Sequence, residues 1–278
     1  KTKDLSKPEI KLFLKNFYKE PNLHLVFKNK KYVSIFKEKL SLTSETSGFL
    51  VEKQKVENIS SFKDGIWWVQ DFSSSFPLNN IEDHIIDKSC LDMCAAPGGK
   101  SFQILSRKKN IVLNDKNHKR IAVLKKNLAR LNFNPKITCI DVHKLDKKPI
   151  YDFIIVDAPC SAIGTIRKNP EIFYREKEPK LEELVEIQKK MLDVASKILK
   201  ENGIILYMVC SFLEIETTGQ INNFLLTNKN FSLNDFSFEN KNLSNNQFIK
   251  NKKMLVLPSV FNNYNIDGYF AVYLRKER

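Results

Sequence analysis

The sequence predicts a doubly wound α/β fold with a mostly parallel sheet, preceded by a small α+β subdomain. From residue 89 onward, short apolar runs alternate with longer segments whose apolar residues recur at helical spacing. Strands that alternate with helices in this way are typical of parallel sheets. A glycine-rich turn or an aspartate follows several predicted strands, and such sheets bind ligands at the carboxyl ends of their strands. We therefore expect the functional site along that edge.

Residues 1–75 do not show the regular alternation of strands and helices that is predicted from residue 89 onward. Apolar residues at helical spacing predict a helix over 7–20, and alternation predicts a strand over 23–30. The sequence that follows consists of short predicted strands broken by Gly and Ser. The segment SSSFPLNN at 73–80 is expected to mark the boundary between residues 1–75 and a second domain, 76–278.

The second domain is predicted to alternate strands and helices along its length. Strands are predicted at 90–93, 110–115, 136–141, 151–159, 203–210, 254–260 and 268–276. Helices are predicted at 100–109, 118–131, 180–202 and 214–228. Gly203 is the expected stop of the long third helix.

The composition favours a globular protein with a polyanionic partner. Hydrophobic residues make up 42% of the 278 residues, which is enough for a sizeable core. No apolar run is long enough to cross a membrane. The five cysteines suit a reducing compartment, so we expect a cytoplasmic protein. We also expect a monomer without a metal site. The formal net charge of +14 favours nucleic acid as the partner. A biased coding composition is the competing explanation, so the charge serves as supporting evidence only.

The turn CAAPGGKS joins the first strand of this domain to its helix. Its end matches a phosphate-binding P-loop, but that motif needs Gly where Cys94 stands, and Pro97 interrupts the loop. The dinucleotide pattern G-x-G-x-x-G also fails, because only Gly98 and Gly99 are present. A turn that merely connects a strand and a helix is the competing explanation at this point.

Aspartates follow the next three strands. Asp115 stands where an acidic side chain usually binds ribose hydroxyls, and Asp141 is placed to reach an adenine edge. Asp157 follows the fourth strand. A single Asp at a strand end is usually a helix cap, whereas this series suits a cofactor that has adenosine and a charged tail but no phosphate. S-adenosylmethionine fits that description.

Two cysteines follow neighbouring predicted strands. Cys160 lies in DAPCSAIG and Cys210 in LYMVCS, each directly before a Ser. In a parallel sheet the two should face one crevice, whereas Cys90 and Cys139 are predicted to be small buried residues. Carbon 5 of cytosine attacks a methyl group only after a thiolate has added to carbon 6, which is covalent catalysis. A second thiol in the same pocket can assist product release.

These motifs resemble the Sun/Nop2 group of RNA cytosine-5 methyltransferases, most of all its bacterial branch acting on small-subunit ribosomal RNA. The resemblance runs from about residue 21 to the C-terminus. It rests on LDMCAAPGGKS, NLARLNF, DAPCSAIGTIRKNPEI, LYMVCS and DGYFAVYLRK. It implies a class I, Rossmann-like methyltransferase with S-adenosylmethionine as cofactor and RNA as substrate. That branch commonly carries a preceding helical RNA-binding domain, which we expect to be absent here.

The resemblance also implies a role for each matching residue. Cys210 is the nucleophile, Cys160 assists product release, and Asp157 belongs to both the base pocket and the cofactor pocket. The implied cofactor residues are Cys94, Ala95, Ala96, Pro97, Gly98, Gly99, Lys100, Asp115, Arg120, Asp141 and Asp157. In cytosine-5 methyltransferases acting on DNA, the cysteine after the fourth strand attacks instead. Spacing alone therefore leaves the two cysteine roles open.

RNA contacts are expected from Arg167 and Lys168, whose charges suit phosphates. The first domain, which precedes the catalytic one, is the expected RNA-binding subdomain. Trp67, Trp68 and Phe72 are candidates for stacking on bases, with core packing of at least one Trp as the alternative.

Departures from the family pattern leave other functions open. The family usually has Thr before the nucleophile and Pro shortly after it, where this chain has Val209 and Glu214. Of the acidic residues that follow, Glu216 keeps its position. A weakly active or inactive RNA-binding ribosome-assembly factor is therefore the alternative from another class. Transfer RNA as substrate is a third possibility, with the same chemistry.

Overall fold

The N-terminal region forms a small antiparallel sheet. The computed structural model describes residues 11, 19, 22–79, 81–145, 148–174, 180–236, 248–261 and 263–278. Strands β1 (His24–Phe27), β2 (Leu40–Ser44), β3 (Ser47–Leu50) and β4 (Trp67–Val69) pair in the order β2-β3-β1-β4, and helix α1 (Lys30–Ser34) follows β1. The strand predicted at 23–30 is confirmed. The helix predicted over 7–20 lies outside the described residues.

Successive residues of this small sheet face two different cores. Leu25 and Trp67 belong to a separate apolar cluster, whereas Val26 and Trp68 pack into the main core. The Trp68 ring meets Phe102 edge to face, with ring centroids 5.7 Å apart. Because side chains alternate along a strand, one face of the small sheet is available to pack against the larger one.

The segment expected to separate two domains is a buried helix, α2 (Phe72–Asn79). Seven of its eight residues are buried. Gln103 Nε2 donates to Ser75 O at 2.9 Å and ties this helix to the larger domain. The chain therefore passes from the small sheet to the large one inside the core. A division into 1–75 and 76–278 stays a prediction.

The remaining described residues build a nine-stranded sheet with its helices and a separate two-stranded sheet, Ser259–Phe261 with Tyr264–Ile266. In chain order the elements are α3 (Asp83–Ile86), β5 (Cys90–Asp92), α4 (Gly99–Ser106), β6 (Ile111–Asn114), α5 (His118–Arg130), β7 (Ile137–Thr138), β8 (Tyr151–Asp157), α6 (Leu181–Ile198), β9 (Leu199–Val209), α7 (Thr218–Thr227), β10 (Phe231–Asn234), β11 (Ile249–Lys250), β12 (Lys253–Val256), β13 (Ser259–Phe261), β14 (Tyr264–Ile266) and β15 (Tyr269–Lys276). Strands β7-β6-β5-β8-β9 are parallel neighbours in that order. Strands β15, β12 and β11 continue the sheet in antiparallel orientation, and β10 also pairs with β15. The predicted doubly wound α/β fold is confirmed.

Both faces of the large sheet are covered, as strand β8 shows. Phe153 and Ile155 face the core that α4 and α5 line, whereas Ile154 and Val156 face the core that α6 and α7 line. All four side chains are completely buried. A parallel strand covered on both sides needs a continuous apolar run, which these residues supply. In the described ranges, no helix combines the length and the apolar character needed to cross a membrane.

The long helix ends earlier than predicted. Helix α6 ends at Ile198, and residues 199–202 already belong to β9, so Gly203 is not the helix stop. Leu199 pairs with Tyr151 of the neighbouring strand β8. The prediction was wrong because strand pairing, which is a tertiary contact, overrides helical propensity at the end of the periodic segment.

Two glycines allow three loops to meet beside the carboxyl edge of the sheet. Gly164 N donates to Cys210 O at 3.0 Å, and Gly268 N donates to Gly164 O at 2.8 Å. A Cβ atom on Gly164 would lie 2.1 Å from Gly268 O. The loops after β8 and β9 and the loop before β15 are therefore packed backbone against backbone.

Gly164→Ala is expected to destabilise the protein, because the new methyl group must displace the backbone of a neighbouring loop. Overpacking of this kind costs about 1–3 kcal/mol in the free energy of unfolding. Urea denaturation followed by circular dichroism measures the change. Lys119→Ala, on the exposed first turn of α5, is the control and should shift that free energy by less than about 0.5 kcal/mol. A shift equally small for Gly164→Ala would contradict the close packing.

Candidate active site

The turn between β5 and α4 lies at the carboxyl edge of the parallel strands. Ala95 N donates to Asn114 O of β6 at 2.8 Å, which ties the turn to the neighbouring strand. Gly98 has a φ of 124°, and a Cβ atom there would lie 1.9 Å from the Phe102 ring. The turn therefore requires glycine at this position for both conformation and space.

Asp115 follows β6 directly and lies beside this turn. Its side chain is 2% exposed, and its Oδ1 accepts from Asn117 N at 3.0 Å. No hydrogen bond from the described part of the chain reaches Oδ2, although Arg120 Nη1 lies 3.2 Å away. Arg120 also donates to Ala96 O in the turn. The structure thus brings Asp115, Arg120 and the turn together and leaves one buried carboxylate oxygen able to accept from a ligand hydroxyl.

Asp141 has a local hydrogen-bond partner. Its carboxylate accepts from His143 N at 3.1 Å and caps the short 3-10 helix Val142–Lys144. This is the helix-cap role that is usual for a single Asp at a strand end. Contact between Asp141 and an adenine stays a prediction.

Asp157 ends strand β8 within a small polar cluster. Lys100 Nζ donates to its Oδ2 at 2.6 Å, and the Tyr269 hydroxyl donates to its Oδ1 at 2.8 Å. Burial disfavours the Lys100 ammonium, but the charge of Asp157 and the hydrogen bond to it outweigh this effect and raise the pKa of Lys100 above its usual value. Sequence reasoning missed Tyr269, because GYFAVYLRK is predicted as a closing strand and contributes to the family resemblance without a role for any single residue.

Asp92, the last residue of β5, is a second residue that sequence reasoning did not assign to the site. Ser101 Oγ donates to its Oδ2 at 2.6 Å, and Cys94 N donates to its Oδ1 at 3.3 Å. Burial, with a smaller contribution from the charge of Asp157, raises the pKa of Asp92 to about 7. Its place at a strand end, directly before the glycine turn, was the signal available in the sequence.

The two predicted cysteines meet at the ends of β8 and β9. Asp157 pairs with Met208 in the parallel register, so both loops leave the sheet at the same level. The sulfur atoms of Cys160 and Cys210 lie 3.3 Å apart, and both residues are partly exposed. The hydrogen bond to Cys210, together with burial, raises the pKa of the Cys160 thiol well above its usual value.

The other three cysteines have different environments. Burial raises the pKa of Cys90 to about 12, and burial likewise raises that of Cys94 to about 12. Cys139 is partly exposed, with its sulfur 3.4 Å from His118 Nδ1. The prediction of a buried residue is therefore confirmed for Cys90 and wrong for Cys139, since the short strand β7 ends before it.

The two cations expected to meet RNA phosphates contact acceptors within the protein. Both Nη atoms of Arg167 donate to Ser259 O at 2.9 Å. Lys168 Nζ lies 2.9 Å from Asp71 Oδ2 and 2.7 Å from Asp267 Oδ2. Phosphate contact by either side chain stays a prediction.

The aromatic residues proposed to stack on bases are buried. Trp67 and Phe72 are 0% exposed and Trp68 is 2% exposed. Trp67 packs in the core of the small sheet, and the other two pack in the main core. The stacking prediction is wrong because these rings are needed to fill the two cores, as the alternative stated.

The site motifs lie within a region that is shared with a known family. A sequence profile described as 16S rRNA methyltransferase RsmB/F matches residues 79–275. The chain belongs to this family. It is 35% identical over 175 residues to ribosomal RNA small subunit methyltransferase B of Pectobacterium atrosepticum, covering 61% of this chain and 41% of that one. The protein of the same name from Shewanella oneidensis is 35% identical over 187 residues, which cover 66% and 44%. The chain thus spans less than half the length of these curated relatives.

Two solved structures share the fold of this RsmB/F-family chain. NSun6 from Pyrococcus horikoshii with SFG matches with a TM-score of 0.78 and 18% identity, covering 98% of this chain and 95% of that chain. A methyltransferase homolog protein from the same organism matches with a TM-score of 0.70 and 20% identity, covering 97% and 91%. The predicted Rossmann-like methyltransferase fold is confirmed.

The family assignment also confirms S-adenosylmethionine as the cofactor. The residues present fit it: Asp115 Oδ2 is a buried acceptor with no hydrogen bond from the described residues, which suits a ribose hydroxyl. The carboxylates of Asp92 and Asp157 lie next to the turn and suit the positive charge of a sulfonium tail. The contacts of individual cofactor residues stay predictions.

Asp92→Asn is expected to remove a pH-dependent contribution to stability. The folded-state pKa of Asp92, about 7, lies above its unfolded value of about 3.9. Between these values the folded state binds more protons than the unfolded state, so stability falls as pH rises from about 4 to about 7. Asn cannot ionise, so this contribution to the decrease in stability with rising pH is absent from the variant.

Urea denaturation at pH 5 and pH 8 measures this effect. The fall in the free energy of unfolding between the two values should be smaller in Asp92→Asn than in wild type by about 2 kcal/mol. Asp193→Asn, which changes an exposed carboxylate paired with Lys197, should keep the wild-type pH dependence. Equal pH dependence in wild type and Asp92→Asn would contradict the raised pKa.

Proposed function

We propose that this protein transfers a methyl group from S-adenosylmethionine to carbon 5 of a cytosine in RNA, namely small-subunit ribosomal RNA. The observation that supports this most strongly is the pair of sulfur atoms, Cys160 and Cys210, 3.3 Å apart at adjacent strand ends. Two free thiols at that edge, beside an adenosine-cofactor turn, suit covalent activation of a pyrimidine ring better than direct methylation of a nucleophile.

The proposed reaction uses one covalent adduct. The Cys210 thiolate adds to carbon 6, forming an S–C bond, and the ring electrons move to carbon 5. S-adenosylmethionine, when bound, would supply the electrophilic methyl group: the electrons at carbon 5 form the new C–C bond while the methyl–sulfur bond breaks, and S-adenosylhomocysteine leaves. The proton on carbon 5 is then lost to a base, and the S–C6 bond breaks to return the aromatic ring and the thiolate. Cys160 assists this last elimination.

The surroundings of the two thiols support this division of roles. The raised pKa of Cys160 keeps its proton in place and disfavours it as the attacking thiolate. The ammonium of Lys100 supplies a positive charge near Cys210. Asp157, oriented by Lys100 and Tyr269, offers carboxylate oxygens to the amino group of cytosine.

A groove beside the cofactor turn suits the RNA strand. It has a volume of about 380 Å³ and lies between the small sheet and the turn. Phe62, Val69, Lys100, Arg130 and Asp157 are among its lining residues. The target cytosine must leave its stack to reach the thiols, and the net charge of +14 favours binding of the polyanion. We propose residues 1–75 as the RNA-binding subdomain on this basis.

Substitution of each of the two cysteines is expected to block a different step of the reaction. Cys210→Ala should abolish transfer of labelled methyl groups to unmodified small-subunit ribosomal RNA, because no adduct forms. Cys160→Ala should accumulate a protein–RNA adduct that survives denaturing electrophoresis, because elimination is impaired. Nuclease digestion of the wild-type product identifies the methylated base, and both variants should bind S-adenosylmethionine as wild type does.

A control variant and the choice of RNA separate the alternatives. The control variant, Cys139→Ala, removes a thiol that lies away from the Cys160–Cys210 pair and should leave methyl transfer unchanged. If labelled 5-methylcytosine is recovered from transfer RNA and not from ribosomal RNA, transfer RNA is the substrate. Cofactor binding and RNA binding without any methylation would favour the ribosome-assembly factor instead. Equal activity of Cys210→Ala and wild type would exclude the covalent mechanism.

Asp115→Ala is expected to weaken S-adenosylmethionine binding by about tenfold or more, because hydrogen bonds to a charged acceptor are worth about 1.5–3 kcal/mol. Isothermal titration calorimetry with S-adenosylmethionine measures the dissociation constant. Asp193→Ala, on the exposed side of α6, is the control. An unchanged dissociation constant would remove Asp115 from the cofactor site.

A further inference from the structure

A buried carboxylate lies behind the two cysteine loops. Glu216 is completely buried in the 3-10 turn Glu214–Glu216 that follows β9. Its Oε1 accepts from Ser161 N at 2.8 Å and from Gln188 Nε2 at 3.1 Å. Its Oε2 accepts from Ser161 Oγ and Ser211 Oγ, each at 2.6 Å. Four donors thus converge on one carboxylate.

This carboxylate joins the loops that carry the two thiols. Ser161 is the residue after Cys160, and Ser211 is the residue after Cys210. Both hydroxyls donate to the same oxygen, Glu216 Oε2, and lie 3.3 Å from each other. Movement of either loop away from the other would therefore break a hydrogen bond to this atom.

Glu216 is itself held by the helix and strand beneath it. Gln188 of α6 donates to Pro159 O at 2.9 Å as well as to Glu216. The Tyr207 hydroxyl of β9 donates to Glu216 O at 2.9 Å. Burying a carboxylate is costly unless donors surround it, so removal of any donor is unfavourable.

We propose that Glu216 is a positioning residue that sets the separation of Cys160 and Cys210. This inference rests on the function proposed above, in which both thiols act on one cytosine ring in consecutive steps. A sulfur separation of 3.3 Å keeps both thiols at the same base. Glu216 acts through Ser161 and Ser211 and is not a catalytic residue. Small displacements of reacting groups are enough to slow an enzyme strongly.

Two variants weaken the connection in different ways. Ser211→Ala removes the hydroxyl that links the Cys210 loop to Glu216 and leaves only a small void. Glu216→Gln keeps the size of the side chain but replaces one accepting oxygen with a donor. Glu214→Gln is the matched control, since it makes the same chemical change two residues earlier, where the side chain is only partly buried. Thermal unfolding verifies that each variant folds.

The first measurement reports thiol geometry without any RNA. Diamide, a diazene oxidant, accepts the two protons and two electrons that Cys160 and Cys210 lose, and becomes the hydrazine as one S–S bond forms. Mass spectrometry of peptides follows the rate of this disulfide. Ser211→Ala and Glu216→Gln should form it about tenfold more slowly than wild type, because the sulfurs spend less time in contact. Glu214→Gln should match wild type.

The second measurement is the methyl-transfer reaction itself. Both test variants should lose about 10–100-fold in kcat, while KM for S-adenosylmethionine stays as in wild type. A loss of general structure would instead weaken cofactor binding and lower the melting temperature. Wild-type rates of disulfide formation and turnover in folded Ser211→Ala would overturn the proposal, even if Glu216→Gln fails to fold.

The two measurements also separate this proposal from the proposed function. If the wild-type protein makes no 5-methylcytosine, the proposed function fails, and the disulfide rates still decide whether Glu216 positions the thiols. If wild type methylates cytosine and both test variants match it in both measurements, the function stands and the positioning role of Glu216 is wrong.

Discussion

The parallel pairing of β8 with β9 is the constraint on which the rest of the site depends. Its register places Asp157 opposite Met208, so the loops that follow carry Cys160 and Cys210 to the same level, with sulfurs 3.3 Å apart. Side chains alternate between the faces of a sheet, and a shift of one residue would exchange them. Both faces of β8 are buried, so such a shift would move each of its side chains into the opposite core.

The site uses buried charge, and each charge has identifiable partners. Asp157 accepts from Lys100 and Tyr269, and Glu216 is surrounded by donors from two loops and a helix. Asp92 accepts from Ser101 and Cys94, and burial raises its pKa. Polar groups of this kind cost stability when they lose partners. The sheet and its two apolar cores supply the stability that tolerates them.

Corrections to the sequence-based predictions share one physical origin. Helix α6 ends at Ile198 because the next residues pair with β8, and periodicity within one segment contains no information on that pairing. Trp68 and Phe72, candidates for base stacking from the sequence, fill the core between the two sheets. The sequence shows that these side chains are large and aromatic. It does not show which face of the strand or helix the other sheet covers.

The sequence by itself determined the order of the five parallel strands and of the helices between them, the glycine turn, and the two Cys-Ser pairs at adjacent strand ends. These are local patterns, set by the apolar period and by the conformational needs of glycine. Only the tertiary structure decided that Tyr269 joins Asp157 and that Glu216 bonds to both serines. These contacts join residues that a strand order and a register bring together, and no spacing along the chain encodes them.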